Sequence, residues 1–157
     1  MRYNDQRNTA LSVIMYYLLI QPEIMAKLQR EIKEAVPSSV EQPSWSSLEQ
    51  LRYLGATIAE GLRLSYGVAT RSARAPHEAL CYSPGDRYPN YPTDYVIPPY
   101  TPVSMTSVLV HQNPDIFPNP HAFIPERWLN QAGEKRKDLD AYLLSFSKGT
   151  RACLGMK

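Results

Sequence analysis

A mixed α+β fold, predominantly α, is what this sequence predicts, and three observations predict it. Apolar residues recur at four-residue spacing through most of the first third. Short β-like runs set apart by Pro, Gly and Asn follow in the middle, and a proline-interrupted coil occupies much of the remainder. A chain of 157 residues suits one domain and can bury a sizeable core. Its 17 Lys+Arg against 15 Asp+Glu give a net charge of +2 with no block of like charge, which argues against a phosphate-tracking nucleic-acid binder. With 43% hydrophobic residues the chain is too apolar for disorder. Cys81 and Cys153 are too few for a disulfide scaffold or an all-cysteine zinc site. The longest apolar run, Ala10 to Ile20 with Ser12 inside it, is about half of the ~20 residues that cross a bilayer. It also lacks the flanks of a signal peptide. No membrane span is expected in this chain.

The elements follow in order. Ala10 to Ile20 is apolar almost all round, the pattern of a helix buried inside a larger body. Pro22 ends it and can open the next helix, where its missing N–H is not needed. From Glu23 to Val36, Ile24, Leu28 and Ile32 recur every four residues, and Glu23 and Lys27 pair at i,i+4 on the polar face. Residues 37–43 are a loop. Ser46-Ser-Leu-Glu49 is a capping-box pattern for a short helix with Leu48 and Leu51 inward. A further helix is expected from about Tyr53 to Leu64, with Leu54, Ile58 and Leu62 in period. The β-like runs are Val68 to Arg71, Tyr95 to Ile97 and Val103 to Thr106, and Cys81 to Pro92 is a surface loop or hairpin tip. Four prolines between Pro114 and Pro125 exclude helix and inner strand, so this stretch is a coil pinned by Phe117 and Phe123. Gln131 to Asp140 is charged and exposed, and Phe146 to Gly155 is an irregular loop.

That final loop carries the strongest chemical signal. A lone cysteine is most often a buried structural thiol. Cys153, however, sits between Gly149 and Gly155, which let the backbone bend and approach a flat partner, while Arg151 would stabilise a thiolate or grip an anion. Phe-x-x-Gly-x-Arg-x-Cys-x-Gly fixes five residue types in ten positions, a chance match rarer than about one in ten thousand. Glu60-x-x-Arg63 places a carboxylate and a guanidinium on one helical face, although such pairs are usually solvated surface pairs. Pro125-Glu-Arg-Trp128 follows downstream.

Together, in this order, these residues resemble the cytochrome P450 superfamily, the haem-thiolate monooxygenases. The resemblance implies a partial P450 fold: the end of the central helix, the Glu-x-x-Arg helix, a small β-sheet and the coil before the haem-binding Cys loop. It implies that Cys153 is the axial ligand of haem b (iron protoporphyrin IX), that Phe146 shields the sulfur, and that Gly149 and Gly155 shape the loop. Arg151 would meet a haem propionate. Arg74, with Arg71 second, takes the place of a further propionate-binding arginine, against the alternative of a surface strand arginine. Arg127 would join Glu60 and Arg63 in a structural triad. Val68, Ala69 and Thr70 would border the substrate pocket, and His111 would lie on a helix beside the haem pocket wall, against the alternative of a merely structural or exposed His. His77 and His121 show no ligand spacing.

The resemblance covers roughly residues 9–157 and implies the C-terminal part of a single P450 domain, truncated at both ends. Aligning Leu11 to Leu19 with the end of the family's central helix puts Asp5 in the acidic slot. Gln6 and Arg7 then fall in the threonine slots of the proton relay, and Thr9 comes three residues late. Met1 to about Asn8 is therefore expected to lie outside the family pattern, and no proton relay is assigned. The activity implied is insertion of one oxygen atom from O2 into a small organic substrate, with electrons from an NADPH-dependent reductase; full-length members are commonly anchored to the endoplasmic reticulum facing the cytosol. The alternative is a catalytically inert fragment with weak or no haem binding. A helical interaction module with accidental motifs is a third reading, disfavoured by three motifs in the right order.

Overall fold

The computed structural model describes residues 3–36, 43–66, 69–71, 73–83 and 94–156. They form two compact units, one of Met1–Ala69 with Ser107–Lys157 and a smaller one of Thr70–Thr106. Among the described residues helices dominate, with one small antiparallel sheet, so the α+β class holds.

In the larger unit, α1 (Tyr3–Ile20) starts earlier than the apolar run, and Gln21 separates it from α2 (Pro22–Ala35), where Pro22 occupies the first turn. Their inner faces meet in a core of Leu18, Ile24, Leu28, Leu64 and Phe123. Tyr17 stacks flat on Phe123, with ring centroids 4.8 Å apart. The expectation of burial all round α1 needs correction: Leu11, Met15, Tyr16, Leu19 and Ile20 are exposed, because the described residues supply packing on one side only.

The helix α3 (Trp45–Glu49) also departs from the capping box read at Ser46. Its N-cap is Ser44, whose Oγ accepts from the Ser47 N–H at 3.2 Å. Ser46 Oγ lies 3.1 Å from the same hydroxyl. Ser44 offers the same acceptor two residues earlier, and so the helix gains length. Leu51, buried as expected, is the N-cap of α4 (Arg52–Leu64) but has no side-chain oxygen to offer. Glu31 of α2 supplies it instead: its two carboxylate oxygens accept from Tyr53 N at 2.7 Å and Leu54 N at 2.8 Å.

The buried face of α4 is Ala56, Thr57, Ala59, Glu60, Gly61, Arg63 and Leu64, whereas Ile58 is exposed. The Leu54–Ile58–Leu62 row is thus not the best-buried one. Small residues on the other face let the proline-rich coil lie close against the helix. That coil behaves as its sequence dictates. Phe117 and Phe123 are buried, and Phe117 packs with Trp128, Ala56, Ala59 and Leu139 in a second core. The 3₁₀ turn Pro125–Trp128 ends the coil. Residues 131–140 are less uniformly exposed than their charge suggests, since Leu139 is buried and Lys137–Asp140 turn into a short helix.

In the smaller unit, β1 (Leu80–Tyr82) pairs antiparallel with β2 (Tyr95–Ile97) in the register Leu80↔Ile97, Cys81↔Val96, Tyr82↔Tyr95. The strand expected at Tyr95–Ile97 forms, whereas Cys81 and Tyr82, read as the start of a surface loop or hairpin tip, lie in β1 because they pair with β2; residues 84–93 lie outside the described residues. Two expected runs do not form strands: residues 69–71 are irregular, and Val103 makes only an isolated bridge to Arg74. Val68 lies outside the described residues. Pro98 and Pro102, which donate no ladder hydrogen bond, keep the region after β2 from joining a sheet.

Candidate functional site

The Glu-x-x-Arg pair lies in the middle of the larger unit. Glu60 and Arg63 are fully buried on α4, and Arg63 grips Glu60 in a fork, Nε to Oε2 at 2.9 Å and Nη2 to Oε1 at 2.8 Å. Arg127 Nε adds a bond to Oε1 at 3.0 Å, which brings the three motif residues together. Burying one carboxylate with two guanidinium groups is stabilising only if every remaining lone pair and proton is satisfied. Here they are. Glu60 also accepts from Ile124 N at 3.0 Å and from the Trp128 indole at 2.9 Å. Arg63 donates onward to the carbonyls of His111 (2.8 Å), Pro120 (2.6 Å) and Ala122 (3.1 Å), and Arg127 to those of Pro118 and Asn119. Among the described residues, no buried side-chain polar atom lacks a partner.

This network fixes the coil as much as the helix. Prolines leave so few amide N–H donors in this stretch that the guanidinium protons take several of its carbonyls. Trp128 and the Ile124 amide are the members that motif reading missed. The signal for Trp128 was its indole, since a buried indole N–H needs an acceptor.

The coil then leads to the cysteine loop. The short helix α5 (Ser107–His111) precedes the coil, and His111 at its end is buried. Its Nδ1 is 3.1 Å from the Arg63 carbonyl, and its Nε2 accepts from Leu144 N at 2.9 Å. Ser145 Oγ donates to the Leu62 carbonyl at 3.0 Å. Phe146 O accepts from Cys153 N at 2.8 Å, which closes the loop on itself. Inside the loop Ser147 has φ 57° and Gly149 φ 73°. A left-handed turn of this kind is costless for glycine, and 3₁₀ turns at Gly149–Arg151 and Leu154–Met156 flank the cysteine.

Cys153 is a half-buried thiol outside any disulfide. Its neighbours leave apolar surface uncovered: Phe146 is 38% exposed and Leu154 89%. Among the described residues no three His, Cys, Asp or Glu side chains converge as a metal cluster. One cysteine sulfur beside exposed apolar side chains fits a metal that takes one ligand from the protein and brings the rest in a flat apolar ring, as haem does. Of the other expected site residues, Gly155 lies in the last 3₁₀ turn and the side chain of Arg151 lies outside the described ones. Arg71 and Arg74 are exposed residues of the smaller unit, where Arg74 exchanges backbone hydrogen bonds of 2.8 Å with Val103. The side chains of Asp5, Gln6 and Arg7 are not among those described. Thr9 and Ser12 line an open groove of about 630 Å³ along α1.

A cytochrome P450 family model matches residues 7–157. It takes in Arg7 and Asn8, which sequence reading placed outside the pattern. The chain is 42% identical over 153 residues to cytochrome P450 monooxygenase MO6277 of Ascocoryne sarcoides, covering 97% of this chain and 28% of that protein. It is 39% identical over 153 residues to cytochrome P450 monooxygenase pbrB of Penicillium brasilianum, with the same coverage, 97% and 28%. Cytochrome P450 monooxygenase tpcC of Cochliobolus heterostrophus is 43% identical over 148 residues, covering 94% of this chain and 26% of that protein. The chain thus spans little more than a quarter of the length of these relatives.

Proposed function

The chain belongs to the cytochrome P450 family, and from that premise we propose that it is the C-terminal, haem-holding part of a single-domain monooxygenase, with Cys153 as the axial thiolate of haem b. The observation that carries this reading is the closed loop itself. The Cys153 N–H is tied back to Phe146 O, and the half-buried cysteine shares its loop with the exposed apolar side chains of Phe146 and Leu154. Bound haem supplies the activation of O2 that inserts one oxygen atom into an organic substrate, with electrons from an NADPH-dependent reductase.

What the chain's own residues do is positional. Glu60, Arg63 and Arg127 hold the coil that delivers the loop. Gly149 lets the loop turn, and Phe146 and Leu154 offer the apolar rim against which a porphyrin face packs. Arg151 and Arg74, with Arg71 as the second choice, are assigned to the propionates, which need cationic partners at the wet edge of the site. No single helix among the described residues is long and apolar enough to cross a membrane. Cys153→Ala tests the ligand assignment. The variant should lose the thiolate-type spectrum of the reduced, carbon monoxide-treated haem complex and keep only nonspecific adsorption. An unchanged spectrum would assign the iron to another ligand.

A further inference from the structure

We propose that His111 is a positioning residue: a neutral imidazole that ties the end of the Glu60–Arg63 helix to Leu144 and so sets where the Cys153 loop begins. The inference deepens the haem-thiolate reading and rests on it for its functional meaning, though the bridge itself is a matter of hydrogen bonds.

The tautomer follows from the partners. Leu144 N can only donate, so His111 Nε2, 2.9 Å away, must accept and carries no proton. The proton is then on Nδ1, which donates to the Arg63 carbonyl at 3.1 Å. That carbonyl is one of the last four of α4, which have no partner within the helix. Its neighbour Leu62 O accepts from Ser145 Oγ at 3.0 Å. The next residue, Phe146, accepts from Cys153 N. Three consecutive residues, 144, 145 and 146, are thus pinned. Two attach to the end of α4, and the third attaches to the cysteine whose position matters. His111 is the only member of this set that must both donate and accept, which a neutral imidazole does and an imidazolium cannot.

The ring has little freedom. It is buried, its own carbonyl accepts from Arg63 Nη1 at 2.8 Å, and Phe117 meets it edge-on at 6.4 Å. The charged groups facing it from α4 are Arg63 and Glu60, which are occupied with each other. Burial and the Arg63 guanidinium both disfavour the imidazolium and keep the ring in its bridging form.

The test separates the two halves of the bridge. In His111→Gln the amide oxygen reaches the place of Nε2 and can still accept from Leu144, whereas in His111→Asn the amide nitrogen takes the place of Nδ1 and keeps only the bond to Arg63 O. If the ring positions the loop through Leu144, the Gln variant of this chain keeps a ratio of thiolate-type to non-thiolate haem about tenfold above that of the Asn variant. Equal loss in both, or a better Asn variant, would reduce His111 to a cap on α4 and overturn the proposal. A readout without haem stands beside it: nitrogen NMR of the parent should place the ring proton on Nδ1, and the Leu144 amide should exchange slowly. A proton on Nε2, or a Leu144 amide exchanging as fast as an exposed one, would also overturn it. Should the parent give no thiolate-type band, the haem reading fails, and the tautomer and the amide still decide whether the bridge exists.

Discussion

Gly61 of α4 lies so close to Ile14 of α1 that a Cβ at position 61 would overlap Ile14 Cγ1 and stand 2.7 Å from its Cδ1. The helices cross where one has no side chain and the other has a branched one. Replacing Gly by Ala in a helix interior ordinarily gains about 1 kcal/mol of propensity. Here the overlap falls on a β-branched residue that is stiff at χ1 and must move the helix, at a cost of roughly 1–3 kcal/mol.

Gly61→Ala should therefore destabilise the chain in urea, and Ile14→Ala in the same molecule should recover part of the loss. A Gly61→Ala variant as stable as the parent would mean that the crossing is looser than it stands.

Glu60 accepts five hydrogen bonds while fully buried, and two of its partners are guanidinium groups. Glu60→Gln removes the charge and leaves both cations in low dielectric, which costs about 3–5 kcal/mol. Against a total stability of about 5–15 kcal/mol this should bring the chain close to unfolding at room temperature. Trp128→Phe, which removes one donor and keeps the ring, should cost less, about 1–2 kcal/mol. Thermal denaturation of the two variants checks the order; the reverse order would contradict the network.

Glu31 caps α4 from another helix. Glu31→Ala should cost about 1–2 kcal/mol, whereas Glu34→Ala, exposed on the same helix, should cost almost nothing. Equal effects in chemical denaturation would refute the capping role.

Acid stability should depend on His111. Burial pushes its imidazole down to about 4, with the Arg63 guanidinium adding to the shift, while the hydrogen bond to the Arg63 carbonyl and the Glu60 charge oppose it. The unfolded value is about 6.5, so above that pH the ring is neutral in both states and the full stability is present. As pH falls from about 6.5 towards 4, the unfolded chain takes up a proton that the folded one excludes, and stability drops. The loss levels off near 4, at about 3 kcal/mol. His111→Gln should flatten this part of the Tm–pH curve relative to the parent. Parallel curves would show that the ring does not titrate differently on folding.

Much of this was written in local pattern. Pro22 and the Ile24–Leu28–Ile32 period placed α2 within a residue, Tyr95 to Ile97 was a strand, and the prolines with Phe117 and Phe123 named a coil and its anchors. Local pattern fails where the deciding partner is remote. Glu31 caps a helix some twenty residues away, and the Trp128 indole finds Glu60 across the coil. Ser44 outcompetes Ser46 because several serines offer the same oxygen. The four-residue leucine row on α4 was misleading because hydrophobicity reports what prefers burial, whereas the coil needed small side chains and a buried ion pair beside it. His111 carried no spacing signal at all, since its partners are backbone groups of Arg63 and Leu144, which no residue type announces.

The most direct measurement is the absorption spectrum of the purified chain with added haem, reduced and exposed to carbon monoxide. Ligation by Cys153 predicts the strongly red-shifted Soret band of a thiolate-bound iron. A band of the histidine-ligated or free-haem type would contradict the claim that this chain by itself holds haem through its cysteine.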